Sequence, residues 1–485
     1  MDSQVLIWGQ KACYARLRNP VARFQVEVKE SCIGCGLCVD GCPTAVFESL
    51  DGRNYMAPPR SYRCLGPSCG RCLGLCPTEA IKIADDPSYE CFGDKRWTAD
   101  LLSATFYEAE TGEMPENDLE SEIGASGGGF DRLRFAFPSN PAAIVPEEID
   151  TSIPLNRRGG GPQIEISIPI YGGGMSFGSV SLPTMLSRAI SAQRLNTFTS
   201  TGEGGYPEEL VPYADHVITQ VATGLFGVRE ETIQRARIVE FKYAQGAKPG
   251  LGGHLLADKV TAEVARLREA VPESSLFSPF PFHSVYSVED HKKHVDWIKS
   301  VNPEALVSVK VSTPEDVDMV AVGSYYAGAN IIHLDGAYGG TGAAPEIAKK
   351  NIAMPIEFAI PLAHRFLEKE GIRDEVTLIA SGGIRTPHDV LKAIALGADG
   401  CVIGTAELVA LGCVRCGNCE SGRGCPLGIA TTDPALSPLI DAEWGAQRIV
   451  NMYTAWRKEW VELLKRLGLR SIRELRGRTD VLRYV

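Results

Sequence analysis

LVSVKVS (306–312) is followed by NIIHLDGA (330–337), and this pair of runs decides the fold. Each is nearly continuously apolar and rich in β-branched residues, the pattern of a strand buried on both faces of a parallel sheet. Towards the C-terminus, VTLIASGG (376–383) and GCVIGTA (400–406) repeat it. Towards the N-terminus stand IEISIPIYG (164–172), NTFTST (196–201), VITQVATG (217–224), VEFKYAQGA (239–247) and SLFSPFP (275–281). Amphipathic stretches lie between, such as ADKVTAEVARLREAV, where Val260, Val264, Leu267 and Val271 make one helical stripe. About eight strand–helix units of this kind predict an α/β fold, a (β/α)8 barrel, over residues 151–440. Lys310 stands in the middle of the first run, and an ammonium buried there needs an anionic partner.

The composition frames this reading. Of 485 residues, 44% are hydrophobic and 22% charged, ample for a large core. The net charge of −11 argues against nucleic acid or an anionic membrane as the main partner. The longest apolar stretch, CVIGTAELVALGCV (401–414), is shorter than a membrane span and contains Glu407. The first residues lack the apolar centre of a secretory signal, so the sequence predicts a soluble cytoplasmic protein. Residues 1–22 read as a leader and 23–90 as a cysteine-rich domain. Residues 91–150 read as a linker or wrapping segment, with an acidic run (108–122) and a glycine run (124–129). Residues 441–485 form a helical tail, its pattern running from Ala442 to Leu467.

Twelve of the fifteen cysteines fall in three clusters, leaving Cys13, Cys91 and Cys401 apart. Such local spacing without a secretory signal indicates metal rather than disulfides. Cys32, Cys35, Cys38 and Cys42, the last followed by Pro43, have the bacterial-ferredoxin spacing. Cys64, Cys69, Cys72 and Cys76 before Pro77 repeat it with two extra residues after the first cysteine. In that pattern the cysteine before each proline ligates the other cluster. The expectation is therefore one four-iron cluster on Cys32, Cys35, Cys38 and Cys76, and a second on Cys64, Cys69, Cys72 and Cys42. Structural zinc is the competing reading, and the two proline-terminated runs argue against it. Cys413, Cys416, Cys419 and Cys425 form a third group, again read as iron–sulfur over zinc.

Barrels often hold a phosphate on glycine-rich loops after the last two strands. IASGGIRTP (379–387) and CVIGTA (401–406) occupy those places. The amides of Gly382, Gly383, Gly404 and Thr405 are expected to cradle an FMN phosphate, Arg385 to add charge, and Lys310 to face the reduced flavin. No GxGxxG or GxxxxGK stretch occurs, which speaks against a Rossmann dinucleotide site or an ATP P-loop.

A dense set of motifs then resembles the FMN-binding synthase domain of glutamate synthases: MSFGS (175–179), TGEGG (201–205), QVATGLFGV (220–228), KYAQGAKPG (242–250), YSVED (286–290), LVSVKV (306–311), GGTGAAP (339–345) and ALGC…CPLGIATTD (410–433). With the two-cluster ferredoxin-like α+β domain in front, the chain resembles the archaeal-type enzymes, whose functions are split over small subunits. The resemblance implies a synthase subunit that aminates 2-oxoglutarate to L-glutamate through 2-iminoglutarate. It implies 2-oxoglutarate contacts at Glu203, Gln245, Lys248, Arg268 and Ser287, and flavin contacts also at Met175, Ser176, Gln220, Gly339 and Gly340. The family commonly has glutamine where His254 stands. Its cluster pattern has three cysteines, so Cys416 is extra and the third centre is a three-iron or a four-iron cluster. No glutaminase domain fits before residue 150. Ammonia is therefore expected from solution or a glutaminase-type partner, beside a glycine-rich β-helical subunit and an NAD(P)H-oxidising subunit or ferredoxin. N-methylglutamate synthesis and non-catalytic electron transfer are the competing functions.

Overall fold

The computed structural model describes residues 22–49, 57–115, 129–279, 282–342, 344–420 and 423–485. The expected leader lies outside them apart from residue 22, as do the end of the acidic run and most of the glycine run.

Eight parallel strands form the centre: β1 (Ile170–Gly172), β2 (Thr199–Ser200), β3 (Val217–Ala222), β4 (Ile238–Lys242), β5 (Leu306–Ser312), β6 (Ile331–Asp335), β7 (Thr377–Ser381) and β8 (Gly400–Ile403). They neighbour one another in chain order, and β8 returns to pair with β1 through Ile403 and Gly172. The Gly172 amide donates to Phe198 O at 2.8 Å, and a parallel bridge joins Gly174 to Ser200, so β1 also meets β2. Every residue of β3 to β8 is buried, which is why these strands read as unbroken apolar runs. Helices such as Leu182–Arg194 and Ile356–Lys369 stand between consecutive strands.

Three sequence expectations change. SLFSPFP contributes no barrel strand: Leu276–Pro279 pairs antiparallel with Leu251–Leu255, and Phe277 is exposed. Proline in the run cannot donate to a central ladder, which suits an edge hairpin. IEISIPIYG divides in two. Its first part, Glu165–Ile166, pairs antiparallel with Ile153–Pro154, and Ile153 packs where a side chain on Gly400 would stand, closing the amino-terminal mouth of the barrel. The segment 91–150, expected as a linker or wrapping segment, holds a capped helix, Ala99–Thr111, in which Glu108 and Glu110 of the acidic run are buried.

That helix lies against the long C-terminal helix Ala442–Leu467, which also covers Leu182–Arg194. Trp456 and Trp460 are fully buried there, and their indole N–H groups donate to Glu108 Oε2 at 2.9 Å and Pro387 O at 3.0 Å. Such bonds let large aromatics be buried without an orphaned donor. Among the described residues no helix is long and apolar enough to cross a membrane.

The N-terminal domain is a doubled motif. Strands Phe24–Val28 and Ile81–Asp85 pair antiparallel. Short helices Leu37–Gly41 and Arg71–Leu75 are each entered through a left-handed glycine, Gly36 at φ 77° and Gly70 at φ 53°. Arg63 and Glu110 form a buried ion pair at 2.6 Å that fastens this domain to the helix Ala99–Thr111.

Candidate active site

The carboxyl ends of the barrel strands open into a cavity with about 1370 Å³ of empty space, counting its mouth. One side of it is glycine-rich: Gly173, Gly174, Gly339, Gly340, Gly382, Gly383 and Gly404. A side chain at Gly340 would collide with Thr405 Oγ1, and one at Gly382 with the backbone of Gly336, so these loops approach one another as only glycine permits. Among the described residues the amides of Gly383, Gly404 and Thr405 donate no hydrogen bond. A loop of free amides bordering a cavity is what a phosphate-bearing cofactor requires.

The opposite side is charged. Glu203, between glycines that let the backbone pass close to Ser176, pairs with Lys242 Nζ at 2.6 Å and accepts the Gly253 amide at 2.9 Å. Burial alone would raise this carboxyl; the Lys242 ammonium outweighs it and holds Glu203 at about 2. Lys248 is lowered to about 8 by burial and by the nearby Lys242 cation, against the pull of Glu203 and Glu420. Arg268, lowered to about 10 by burial, donates to Ser176 Oγ at 2.8 Å and Phe177 O at 3.1 Å, while its Nε is buried with no partner among the described residues. His254, exposed, and Gln245 complete this side.

Beneath the cavity the barrel interior carries polar residues at every second position of the central strands. Gln220 on β3 donates to Glu240 on β4 at 2.6 Å, and the same carboxylate meets Ser308 at 2.9 Å and His333 Nδ1 at 3.0 Å. His333 Nε2 lies 2.7 Å from Ser381 Oγ, which bonds to Asp335. Asp335 closes the chain on Lys310, 3.2 Å away. Burial lowers Lys310 and the Asp335 carboxylate raises it, with a net rise. Lys310 and Lys242 are register partners on β5 and β4, and each ammonium has its own carboxylate.

The thiols of the N-terminal domain line two further cavities. One, of about 360 Å³, is bounded by Cys32, Cys35, Cys38 and Cys76. The other, of about 310 Å³, is bounded by Cys42, Cys64, Cys69 and Cys72. Four thiols around a void of this size suit a polynuclear cluster. In the third group, burial pushes Cys413 up to about 11, with a further upward push from the Cys419 and Cys425 thiols. Cys425 is buried, Cys416 is exposed, and Cys419 lines the barrel cavity itself.

Residues 138–470 match the family model described as the conserved region in glutamate synthase, and residues 31–80 match a 4Fe-4S dicluster domain. An archaeal-type glutamate synthase (NADPH) of Thermotoga maritima is 37% identical over 494 residues, covering 96% of both chains. The chain belongs to the glutamate synthase family. An archaeal glutamate synthase (NADPH) of Methanocaldococcus jannaschii is 46% identical over 325 residues, 67% of this synthase chain and 64% of that one. The glutamate synthase (NADPH) large chain of Azospirillum brasilense is 37% identical over 318 residues, 64% of this chain and 21% of its own. A mutant flavocytochrome b2 with pyruvate bound superposes with TM-score 0.47 at 16% identity, over 79% of this chain and 85% of that one. As a member of this family, the chain is an oxidoreductase and a glutamate synthase subunit.

The synthase structure gathers Met175, Ser176, Glu203, Gln220, Gln245, Lys248, Arg268, Lys310, Gly339, Gly340, Gly382, Gly383, Gly404 and Thr405 around one cavity. Ser287 stands apart: it is exposed, and its hydroxyl caps the helix Val288–Val301 by accepting the Asp290 amide at 3.2 Å. Arg385 is also turned away from the glycine loops. It is buried against Asp131 and Asp389 and donates to Arg96 O at 2.8 Å, so its charge is already matched. The anionic partner that Lys310 needs is supplied within the chain by Asp335. Sequence reasoning missed Lys242, Asp335 and Trp97. Lys242 and Asp335 were readable as charges ending apolar strands, whereas nothing in the segment around Trp97 pointed to the cavity.

Proposed function

We propose that this subunit carries out reductive amination of 2-oxoglutarate to L-glutamate in the barrel cavity, with FMN on the glycine loops and iron–sulfur clusters on the three cysteine groups. The observation that carries the reading is the division of one cavity into a glycine side of free amides and a cationic side built by Lys242, Lys248 and Arg268. The residues fit FMN: the amides of Gly383, Gly404 and Thr405 would hold its phosphate, and Lys310, which also lines the cavity, would help to compensate charge on its reduced ring. Reduced FMN supplies the hydride.

The protein contributes binding and proton placement. A dicarboxylate must exchange its hydration for cations, and Lys248 and Arg268 are the two whose charge is least compensated within the chain. Gln245 orients the substrate by neutral hydrogen bonds. Ammonia, from a glutaminase-type partner or from solution, adds at the oxo carbon and water leaves. Glu203, held ionised, favours the protonated and electrophilic form of the resulting imine. Cys32, Cys35, Cys38 and Cys76, and Cys42, Cys64, Cys69 and Cys72, would hold two four-iron clusters and Cys413, Cys416, Cys419 and Cys425 a third centre, which would supply electrons taken from a separate reductase subunit or ferredoxin.

The test is direct: purified chain, dithionite, 2-oxoglutarate and ammonium should yield glutamate, and a flavin-loaded preparation that yields none overturns the proposal. Lys248→Ala should raise the KM for 2-oxoglutarate roughly ten- to hundredfold, the equivalent of about 1.5–3 kcal/mol for a charge-assisted bond, with a smaller change in kcat. Because Lys248 titrates at about 8, affinity for the oxo acid should fall as pH rises through that value, and the variant should lose this dependence.

A further inference from the structure

Between the N-terminal domain and the barrel, the chain makes one tight turn that reaches two sites at once. Gly93 has φ +81°, and a side chain there would strike Trp97 O. The Asp94 amide donates to Trp97 O at 2.9 Å, and the Asp94 carboxylate accepts the amides of Arg96 at 2.8 Å and Trp97 at 2.9 Å. That carboxylate also takes two bonds from Arg415, at 3.0 Å from Nε and 2.8 Å from Nη2, and the Gly93 amide donates to Val414 O at 3.3 Å. Val414 and Arg415 lie between Cys413 and Cys416 of the third cysteine group.

On the other side of the turn, Arg96 lies 4.3 Å from the ring of Tyr338 and donates from Nη2 to Gly383 O at 2.8 Å. Tyr338 and Gly383 both have positive φ, 68° and 78°, and both line the barrel cavity, as does Trp97. A buried guanidinium that binds a carbonyl and covers an aromatic face holds both loops in place, and Tyr338 is held in a left-handed conformation that a non-glycine residue rarely adopts.

We propose that the turn Gly93–Trp97 is a positioning clamp that couples the third cysteine loop to the flavin-binding loops. Asp94 holds the cysteine loop through Arg415. Arg96 holds the Gly383 and Tyr338 loops, and Trp97 is a wall of the cofactor cavity. The turn has almost no freedom of its own, since the Trp97 carbonyl and the Asp94 carboxylate are engaged internally and Gly93 is packed against Trp97 O. A displacement at either end is therefore transmitted to the other. The clamp rests on the flavin reading given above.

The experiment uses the full chain, loaded with iron and stripped of flavin, as the parent and as Asp94→Asn, Arg96→Ala and Arg96→Lys. FMN affinity is read by quenching of flavin fluorescence, and the third centre by its EPR signal. Arg96→Ala should weaken FMN binding roughly tenfold or more, with partial recovery in Arg96→Lys, the scale of a lost charge-assisted hydrogen bond. Asp94→Asn should weaken FMN binding and also alter the EPR signal from the third centre, leaving the signals of the N-terminal clusters in place. FMN affinity within about twofold of a parent that binds FMN, in all three variants, overturns the clamp. A parent that binds no FMN overturns the flavin reading, and the clamp with it.

Discussion

Around the thiols of the N-terminal domain, charge is managed by the backbone; in the barrel it is managed by side chains. Gly34 and Gly66 direct their amides at Cys32 and Cys64, each at 3.4 Å. Val46 and Ala80 do the same for Cys42 and Cys76, at 3.4 and 3.2 Å. The four contacts come in two equivalent pairs, and each depends on the path of the chain and not on the identity of a neighbour. In the barrel, Glu203 depends on Lys242, Asp335 on Lys310, and Glu240 on His333 and Gln220. A substitution near the thiols should therefore stay local, whereas one in the barrel leaves a partner exposed to the full cost of burial.

The largest expected effect tests the first half of this contrast. Cys76→Ser should remove the cluster framed by Cys32, Cys35 and Cys38, about four irons, while the EPR signal of the other cluster persists. If the loss instead falls on the centre at Cys64, Cys69 and Cys72, the crossed arrangement is wrong.

Lys242→Met tests the second half. It strands the Glu203 carboxylate in a buried site, and the expected destabilisation in urea unfolding is about 3–5 kcal/mol, together with loss of turnover. Adding Glu203→Gln should restore much of the stability and none of the turnover. Additive losses in the double variant would show that the two residues are not coupled.

These differences also explain what could be read from the sequence. The cysteine spacing indicated the two sets of thiols, because ligand geometry is local and repeats within a few residues. The barrel strands were legible because β3 to β8 are buried on both faces. Their inner polar rows were not, since Glu240, Ser308 and His333 become meaningful only when neighbouring strands set them side by side. Ser287 shows the reverse error: a serine within a matching motif serves the first turn of a helix. SLFSPFP was apolar enough for a strand but carried nothing to distinguish a barrel from a hairpin.

Glu108 offers a sharper comparison, because among the described residues it has no ion-pair partner. Burial pushes it up to about 7, against the hydrogen bond from the Trp456 indole. An acid whose folded value lies above its unfolded value of about 4.5 contributes full stability below that pH and loses it as pH rises through 7. Glu108→Gln should therefore stabilise the protein at pH 8, by at most on the order of 3 kcal/mol, and have little effect at pH 4. Thermal unfolding at the two pH values decides it, and an equal shift at both would show that the carboxylate finds a cation after all.

The smallest effect is expected outside both systems. Ser287→Ala should cost about 1 kcal/mol through the lost helix cap and leave the kinetics with 2-oxoglutarate unchanged. A rise in KM would return Ser287 to the substrate site.

The crossed framing of the two thiol cavities also bears on how the protein is made. The cavity that begins with Cys32 is completed only by Cys76, and the one that ends with Cys72 borrows Cys42 from the earlier half. A nascent chain that has presented only Cys32, Cys35, Cys38 and Cys42 therefore offers neither complete set of thiols. On the proposed ligation, each cluster would find its full set of thiols only after both halves had emerged and folded on each other, and the domain would mature as one unit.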